Sequence, residues 1–385
     1  MNRRELLFSI AASAVSSVLA TPAPVLSSGR QKKTKLGIVK FSYSIRLKAE
    51  SASGGAGQPA IRMAGQLGDP LNFLEHCHEA GAGGVQMDIG VREQTYIGRL
   101  REKAEAYGMF LEGSAGLPAD QSAIERYEAV VRTARHAGAK VICVAIGGRR
   151  YEQFDKAEQF KAFKERSWKS VQLAEPVAAK HRICLAIENH KDWRVPEMLD
   201  MLNHISSEYV GVCVDTGNSF ALLEDPMAVV EAYAPYAFAT HLKDMAVAEY
   251  EDGFLLADVP LGQGLLDLSR MTQILRKGRP EINPPDARRI NFSLEMATRD
   301  PLKVPCLTEK YWATFKDVAG CDLARTLRYV RAKACGTGFQ PVKHGQDGRA
   351  TDLPRISHLP LDEQIRLEED NIEKCLDFAA ARLNL

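Results

Sequence analysis

The chain of 385 residues carries 50 basic and 49 acidic side chains, a formal net charge of +1, and is 45% hydrophobic and 26% charged. These proportions are those of a globular protein with a sizeable core, and so neutral a body lacks the basic face that nucleic acid or an anionic membrane would require. The length suits a single large domain with extra loops.

Residues 1–29 read as a signal and linker. Arg3 and Arg4 precede a moderately apolar run that ends in small residues, the pattern of a twin-arginine export signal with cleavage after Ala20 or Ala23. The run is too short and too rich in Ser and Ala for stable membrane insertion. The expectation is an exported, periplasmic protein.

From Leu36 onward, short apolar runs alternate with amphipathic segments. Strands are predicted at Leu36 to Phe41, Gly84 to Ile89, Met109 to Glu112, Val141 to Ile146, Ile183 to Glu188, Val210 to Val214, Ala237 to Thr240 and Ile290 to Leu294. Helical periodicity falls between them, at Pro70 to Ala80, Glu93 to Tyr107, Ser122 to Ala137, Ala157 to Lys180, Pro196 to Ile205, Pro226 to Ala232 and Leu266 to Arg276. Eight such repeats predict an α/β fold, a (β/α)8 barrel over residues 34–334. No G-x-G-x-x-G follows any strand, which disfavours an open dinucleotide-binding sheet.

Two stretches break the rhythm. Lys48 to Gly68 is rich in Gly, Ser and Ala and predicts a long loop over the barrel mouth. Residues 335–359 lack apolar periodicity and predict a disordered insertion without a catalytic part, its His344 and His358 exposed. A last helical pattern, residues 360–385, is expected to pack on the barrel.

Four of the strands end abruptly in metal-ligand types. Ile183-Cys-Leu-Ala-Ile runs into Glu188, Val210 to Val214 into Asp215, Ala237 to Thr240 into His241, and Ile290 to Leu294 into Glu295. In a parallel barrel the carboxyl ends of the strands meet at one mouth, so these four side chains should converge. Three carboxylates and one imidazole suit one divalent metal, Mn, Co, Mg or Zn. The cluster Glu75-His76-Cys77-His78-Glu79 does not, because its histidines stand two apart on a helix and face different sides. The eight cysteines form no C-x-x-C pair, so neither a structural zinc site nor a disulfide framework is expected.

In this order the segments A-I-E-N-H, C-V-D-T-G-N, T-H-L-K-D and S-L-E-M resemble the xylose isomerase-like barrel superfamily, from about Leu36 to Glu295. That superfamily includes ketose 3-epimerases, hydroxypyruvate isomerase, inosose dehydratase and apurinic endonucleases. The resemblance implies that Glu188, Asp215, His241 and Glu295 hold the metal and that Glu188 and Glu295 exchange a proton beside a substrate carbonyl. The expected substrate is a small sugar or polyol, and the expected activity is isomerisation or epimerisation through an enediolate. A lyase or dehydratase acting on a keto-sugar or keto-inositol is the alternative, and a sugar-binding barrel without turnover a third reading. Relatives often pair, so a homo-oligomer is an expectation of the resemblance alone.

The chain departs from the epimerase pattern at Asn218 and Val247, where those enzymes carry a histidine and an arginine. His241-Leu-Lys243-Asp244 is more like the inosose dehydratase branch. Candidate substrate-binding residues are His190, Asn218, Lys243 and Glu112, with Asp88 at another strand end. A phosphodiesterase acting on damaged DNA would need more histidines and a basic face than this chain has.

Overall fold

The structure, a computed structural model, describes residues 33–52, 66–278, 290–315, 317–334 and 353–385. The expected signal, the Gly-rich part of the first loop and most of the expected insertion lie outside these residues. No helix among the described residues is long and apolar enough to cross a membrane.

In chain order the strands are β1 (Gly37–Val39), β2 (Gly84–Met87), β3 (Phe110–Ser114), β4 (Val141–Val144), β5 (Cys184–Glu188), β6 (Val210–Asp215), β7 (Ala237–Leu242), β8 (Asp244–Tyr250), β9 (Gly253–Val259), β10 (Asn291–Leu294) and β11 (Leu302–Val304). Strands β1 to β7 and β10 pair in parallel and close into an eight-stranded barrel. The remaining three form a separate antiparallel sheet in the order β11-β9-β8.

Helices α1 (Ser44–Ala52), α2 (Pro70–Glu79), α3 (Gln94–Tyr107), α4 (Ile124–His136), α5 (Arg150–Gln153), α6 (Ala157–His181), α7 (Val195–Ile205), α8 (Pro226–Tyr233) and α9 (Leu268–Lys277) occupy the connections between barrel strands. Local signals start several of them. Asp69 precedes Pro70 and accepts the amide hydrogens of Leu71 and Asn72 at 3.0 and 3.3 Å, and Asp225 precedes Pro226 and caps Ala228 at 2.9 Å. Helices α10 (Glu309–Trp312), α11 (Gly320–Ala334) and α12 (Leu361–Phe378) follow the barrel.

The strand alternation decides what enters the barrel. On β5 Leu185 and Ile187 join the outer core beneath the helices, while Cys184 and Ala186 join a small inner cluster with Val141, Cys143, Cys213, Phe238 and Ala239. The next inward position on β5 is Glu188. The same count leads from Cys213 to Asp215, from Ala239 to His241, and from Ser293 to Glu295. Large rings close the lower barrel: a side chain at Gly84 would collide with the Phe110 ring, and one at Gly211 with Phe238. Glycine at these two positions lets the rings enter.

Two expectations are corrected. The first loop begins as helix α1, which runs through Ala52, because Glu368 of α12 accepts the amide hydrogens of Ile45 and Arg46 at 2.8 and 3.1 Å. The carboxylate caps the orphan donors of that helix start. At the far end of the expected insertion, Ile356 is buried and Asp300 accepts from the Ile356 and Ser357 amides at 2.6 and 3.0 Å, so residues 353–358 are fixed to the barrel. His358 is exposed, as expected. Helix α12 packs on the barrel through Ile372, Cys375 and Leu376.

The antiparallel sheet was not foreseen. Met245, Val247, Phe254, Leu256 and Val304 bury one face against Tyr151, Phe220, Tyr311 and Val330, forming a second core beside the barrel.

Candidate metal centre

Glu188, Asp215, His241 and Glu295 are buried, and one ligand atom from each lies within 4.8 Å of the other three. The backbone holds them there. Asp215 pairs with His241 across β6 and β7, and the Glu295 amide donates to Leu242 O at 3.1 Å. Asn189, directly after Glu188, clamps the next strand with both ends of its amide: Nδ2 donates to Asp215 O at 3.0 Å and Oδ1 accepts from Asp215 N at 2.7 Å.

His241 Nδ1 lies 2.9 Å from Glu295 Oε2 and 3.6 Å from Glu188 Oε1. Lys243 Nζ stands 3.0 Å from Asp215 Oδ2 and 3.2 Å from Glu295 Oε2. Despite these approaches, Asp215 Oδ2, His241 Nδ1 and Glu295 Oε2 form no well-aligned hydrogen bond, and all three are buried. Buried polar atoms without partners are costly. These three are turned toward one another, so a single cation would satisfy them together. The donor set, three carboxylates and one imidazole nitrogen, fits a divalent metal of hard or borderline character.

Several of the other side-chain atoms of this group are held by hydrogen bonds. Asp215 Oδ1 accepts the amide hydrogens of Gly217 and Asn218, both at 2.8 Å. Asn218 Nδ2 donates to Glu188 Oε1 at 3.0 Å. His241 turns its other nitrogen, Nε2, to Gln86 Oε1 at 2.7 Å. Gln86 Nε2 donates to Glu112 Oε2 and Cys143 Sγ, both at 3.0 Å, which fixes which way the amide points. The His241 Nε2–H must therefore donate to Gln86, and Nδ1 is the nitrogen left for a metal.

The charges settle one another. Burial alone would raise Glu188 and Glu295, but the imidazolium of His241 holds Glu188 at about 2, and Lys243 with His241 holds Glu295 well below the usual carboxylate range. Burial would lower His241, and Glu295 and Glu188 together raise it well above its ordinary value instead. Burial raises Asp215 even though Lys243 opposes it.

A cavity of about 500 Å³ opens onto Glu188, His241 and Glu295, and His190, Lys191, Lys243 and Arg299 also line it. Its far wall is Val39, Phe41, Asp88, Ser114, Gly116 and Ala145. Of the expected substrate-binding residues, His190 and Lys243 face this space, and so does Asp88. Glu112 does not line it. It is 1% exposed beneath the mouth, with its oxygens taken by Gln86 and Asn291 at 3.0 and 3.1 Å and by Ser293 at 3.4 Å. Asn218 does not line it either, and stands behind Glu188 and Lys191. Lys243 is not paired with Asp244, whose carboxylate accepts four backbone amides, from Met245, Gly262, Gly264 and Leu266. The two histidines of the cluster at residues 75–79 each pack on a tyrosine, His76 edge-on to Tyr43 and His78 stacked on Tyr107.

Gln86 and Arg299 were not among the expected site residues, whereas Lys191, one of the three residues that follow Glu188 and were expected to line the pocket in part, does line it. Gln86 had one signal, a lone amide in the strand V-Q-M. Lys191 lies two residues beyond the clamp Asn189.

A closed parallel barrel with a buried ligand set at the carboxyl ends of its strands defines a class of enzymes that work at the barrel mouth. The family described as "Xylose isomerase-like TIM barrel" matches residues 74–282, more than half of the chain, and the chain belongs to that family. It is 27% identical over 232 residues to a 3-oxo-isoapionate decarboxylase of Pectobacterium atrosepticum, covering 58% of this chain and 79% of that protein. Among solved structures it is similar to a 3-keto-D-glucoside 4-epimerase from E. coli, at 12% identity and a TM-score of 0.47 over 78% of this chain and 100% of that one. A xylose isomerase-like barrel protein from Mycobacterium smegmatis in complex with magnesium gives 17% identity and a TM-score of 0.46 over 68% and 92%.

Proposed function

We propose that this chain is a divalent-metal-dependent enzyme that converts a small oxo-sugar through an enediolate, by proton transfer beside the carbonyl. The observation that carries the reading is the convergence of Glu188, Asp215, His241 and Glu295 on one another, three of them lining the cavity, with three buried ligand atoms left without well-aligned hydrogen bonds. A divalent ion held by these four side chains would polarise the substrate carbonyl and stabilise negative charge as it develops on oxygen. Glu188 and Glu295 both line the cavity, where a carboxylate can take a carbon-bound proton. In isomerisation or epimerisation the proton taken by one carboxylate returns to carbon from the same or the opposite face. Lys243, at 3.2 Å from Glu295, supplies a further proton donor beside the substrate oxygens.

The lyase reading draws on the decarboxylase relative. In that reaction the bond between the substrate's α-carbon and its carboxyl carbon breaks and carbon dioxide leaves. The electron pair stays as the enediolate, and a carboxylic acid or Lys243 then delivers a proton to carbon.

The test is proton NMR of manganese- or magnesium-loaded protein in D2O with ketoses, inososes, 3-keto-glycosides and 3-oxo sugar acids. Deuterium entering next to the carbonyl, with an isomer or epimer as product, is the expected outcome for isomerisation. Loss of carbon dioxide or water with deuterium in the product selects the lyase, and a loaded protein that exchanges no proton with any of them contradicts enediolate chemistry.

A further inference from the structure

Lys191 leaves β5 three residues after Glu188 and is only 2% exposed, yet it lines the cavity. A buried ammonium is normally paired with a carboxylate, because desolvating an unpaired charge is expensive. Lys191 is not so paired. Among the described residues it joins no ion pair, and its Nζ hydrogen-bonds the neutral side chain of Asn218 through Oδ1. Burial, with Lys243 and Arg299 nearby, lowers its pKa to about 8. Lys243 differs in having two carboxylates, Asp215 and Glu295. On the same wall Arg299 is held by Asp258 through Nε and Nη2 at 3.2 and 2.9 Å, which keeps the guanidinium fixed at the cavity edge.

We infer that Lys191, backed by Arg299, is a carboxylate subsite and that the substrate of this enzyme is a small sugar acid. The inference rests on the metal-centred reading above and adds the substrate class to it. An ammonium held beside the metal ligands by Asn218 can receive one oxyanion while the rest of the ligand reaches the metal. The site is too sparse for a phosphate. Besides Lys191, the cationic side chains of the described lining are Lys243 and Arg299, both paired with carboxylates, and the candidate metal ligand His241, so one unpaired cation is left for a ligand anion. A carboxylate carries one charge and two in-plane oxygens, which an ammonium and an arginine edge can share. The same subsite serves either outcome of the enediolate, isomerisation of an oxo-acid or loss of its carboxyl group.

The test uses ligands without a carbonyl, so that nothing turns over. Calorimetric titration of the manganese-loaded full chain with threonate and erythronate is compared with titration by threitol and erythritol. The acids should bind at least about tenfold tighter than the alcohols, the scale of one charge-assisted hydrogen bond. Lys191→Met should remove that preference and leave manganese and threitol binding unchanged, while Lys191→Arg should retain it. Circular dichroism and the manganese titration show whether each variant is folded and loaded. Equal affinity for acid and alcohol, or a preference that survives Lys191→Met, overturns the carboxylate subsite. Tighter binding of erythritol 4-phosphate than of erythronate overturns its assignment to a carboxylate. A different result sinks the parent reading instead: acids and alcohols that bind equally well with and without manganese.

Discussion

The two halves of the barrel do different work. Strands β5, β6, β7 and β10 each end in a charged or metal-ligand side chain, and the cations Lys191 and Lys243 follow on the same side. Strands β1 to β4 end in the cavity wall of Val39, Phe41, Asp88, Ser114 and Ala145, and none of them adds a ligand to the four. Their contribution comes one layer lower. Gln86 of β2 and Glu112 of β3 cross the barrel interior to hold His241 from beneath. One half therefore supplies the candidate ligand set, and the other supplies space and fixes how one of those side chains is aimed. Preorganised sites depend on both kinds of contribution.

The sharpest way to break this contrast is on the ligand-bearing half. Glu295→Gln keeps shape but removes a base, and turnover should fall by about 10²- to 10⁴-fold at saturating manganese. Steady-state rates measured beside the metal content of the same sample decide it, and near-normal turnover would remove Glu295 from proton transfer.

The wall half should respond through the metal. Gln86→Leu leaves His241 Nε2 without its acceptor and frees the imidazole to turn, so manganese affinity should weaken by about 10- to 100-fold. Calorimetry reads that directly. An unchanged affinity would mean that Gln86 fills space and orients nothing.

A smaller effect belongs to the outside of the wall half, where Glu368 joins α12 to the start of α1. Glu368→Ala should cost about 1–2 kcal/mol in a denaturant melt, the scale of a lost helix cap. Burial, reinforced by Glu369, raises the Glu368 carboxyl to about 7 from its ordinary value of 4.5. Between those values the folded protein holds a proton that the unfolded chain releases, so this group's contribution to stability falls as pH rises through that window. Glu368→Gln stays neutral and should flatten that part of the profile, visible as a smaller difference in Tm between pH 5 and pH 8.

How much of this was legible in the sequence follows from the same division. The ligand-bearing half could be read because each of its strands is a short, mainly apolar stretch that stops at a polar ligand type, and period-two alternation carries that residue inward. The wall half could not be read as well. Gln86 and Glu112 lie within or at the end of strands that otherwise look like core, and their purpose appears only when strands distant in sequence close on one another. Glu112 was expected to meet substrate because it ends a strand, but one layer of depth puts it under the site. The β8–β9 hairpin had a local signal, Asp252-Gly253 between two alternating runs, which the regular strand–helix rhythm of the barrel obscures. The start of α1 was obscured for a different reason: its cap is supplied by Glu368, 323 residues away from Ile45 in the chain.

The most direct measurement is a manganese soak of crystals with anomalous scattering recorded at the metal edge. The account predicts one peak per chain, bounded by Glu188, Asp215 Oδ2, His241 Nδ1 and Glu295 Oε2, with the Lys243 ammonium displaced from its place between Asp215 and Glu295. A crystal saturated with manganese that shows no peak there, or a peak held by other side chains, would contradict it.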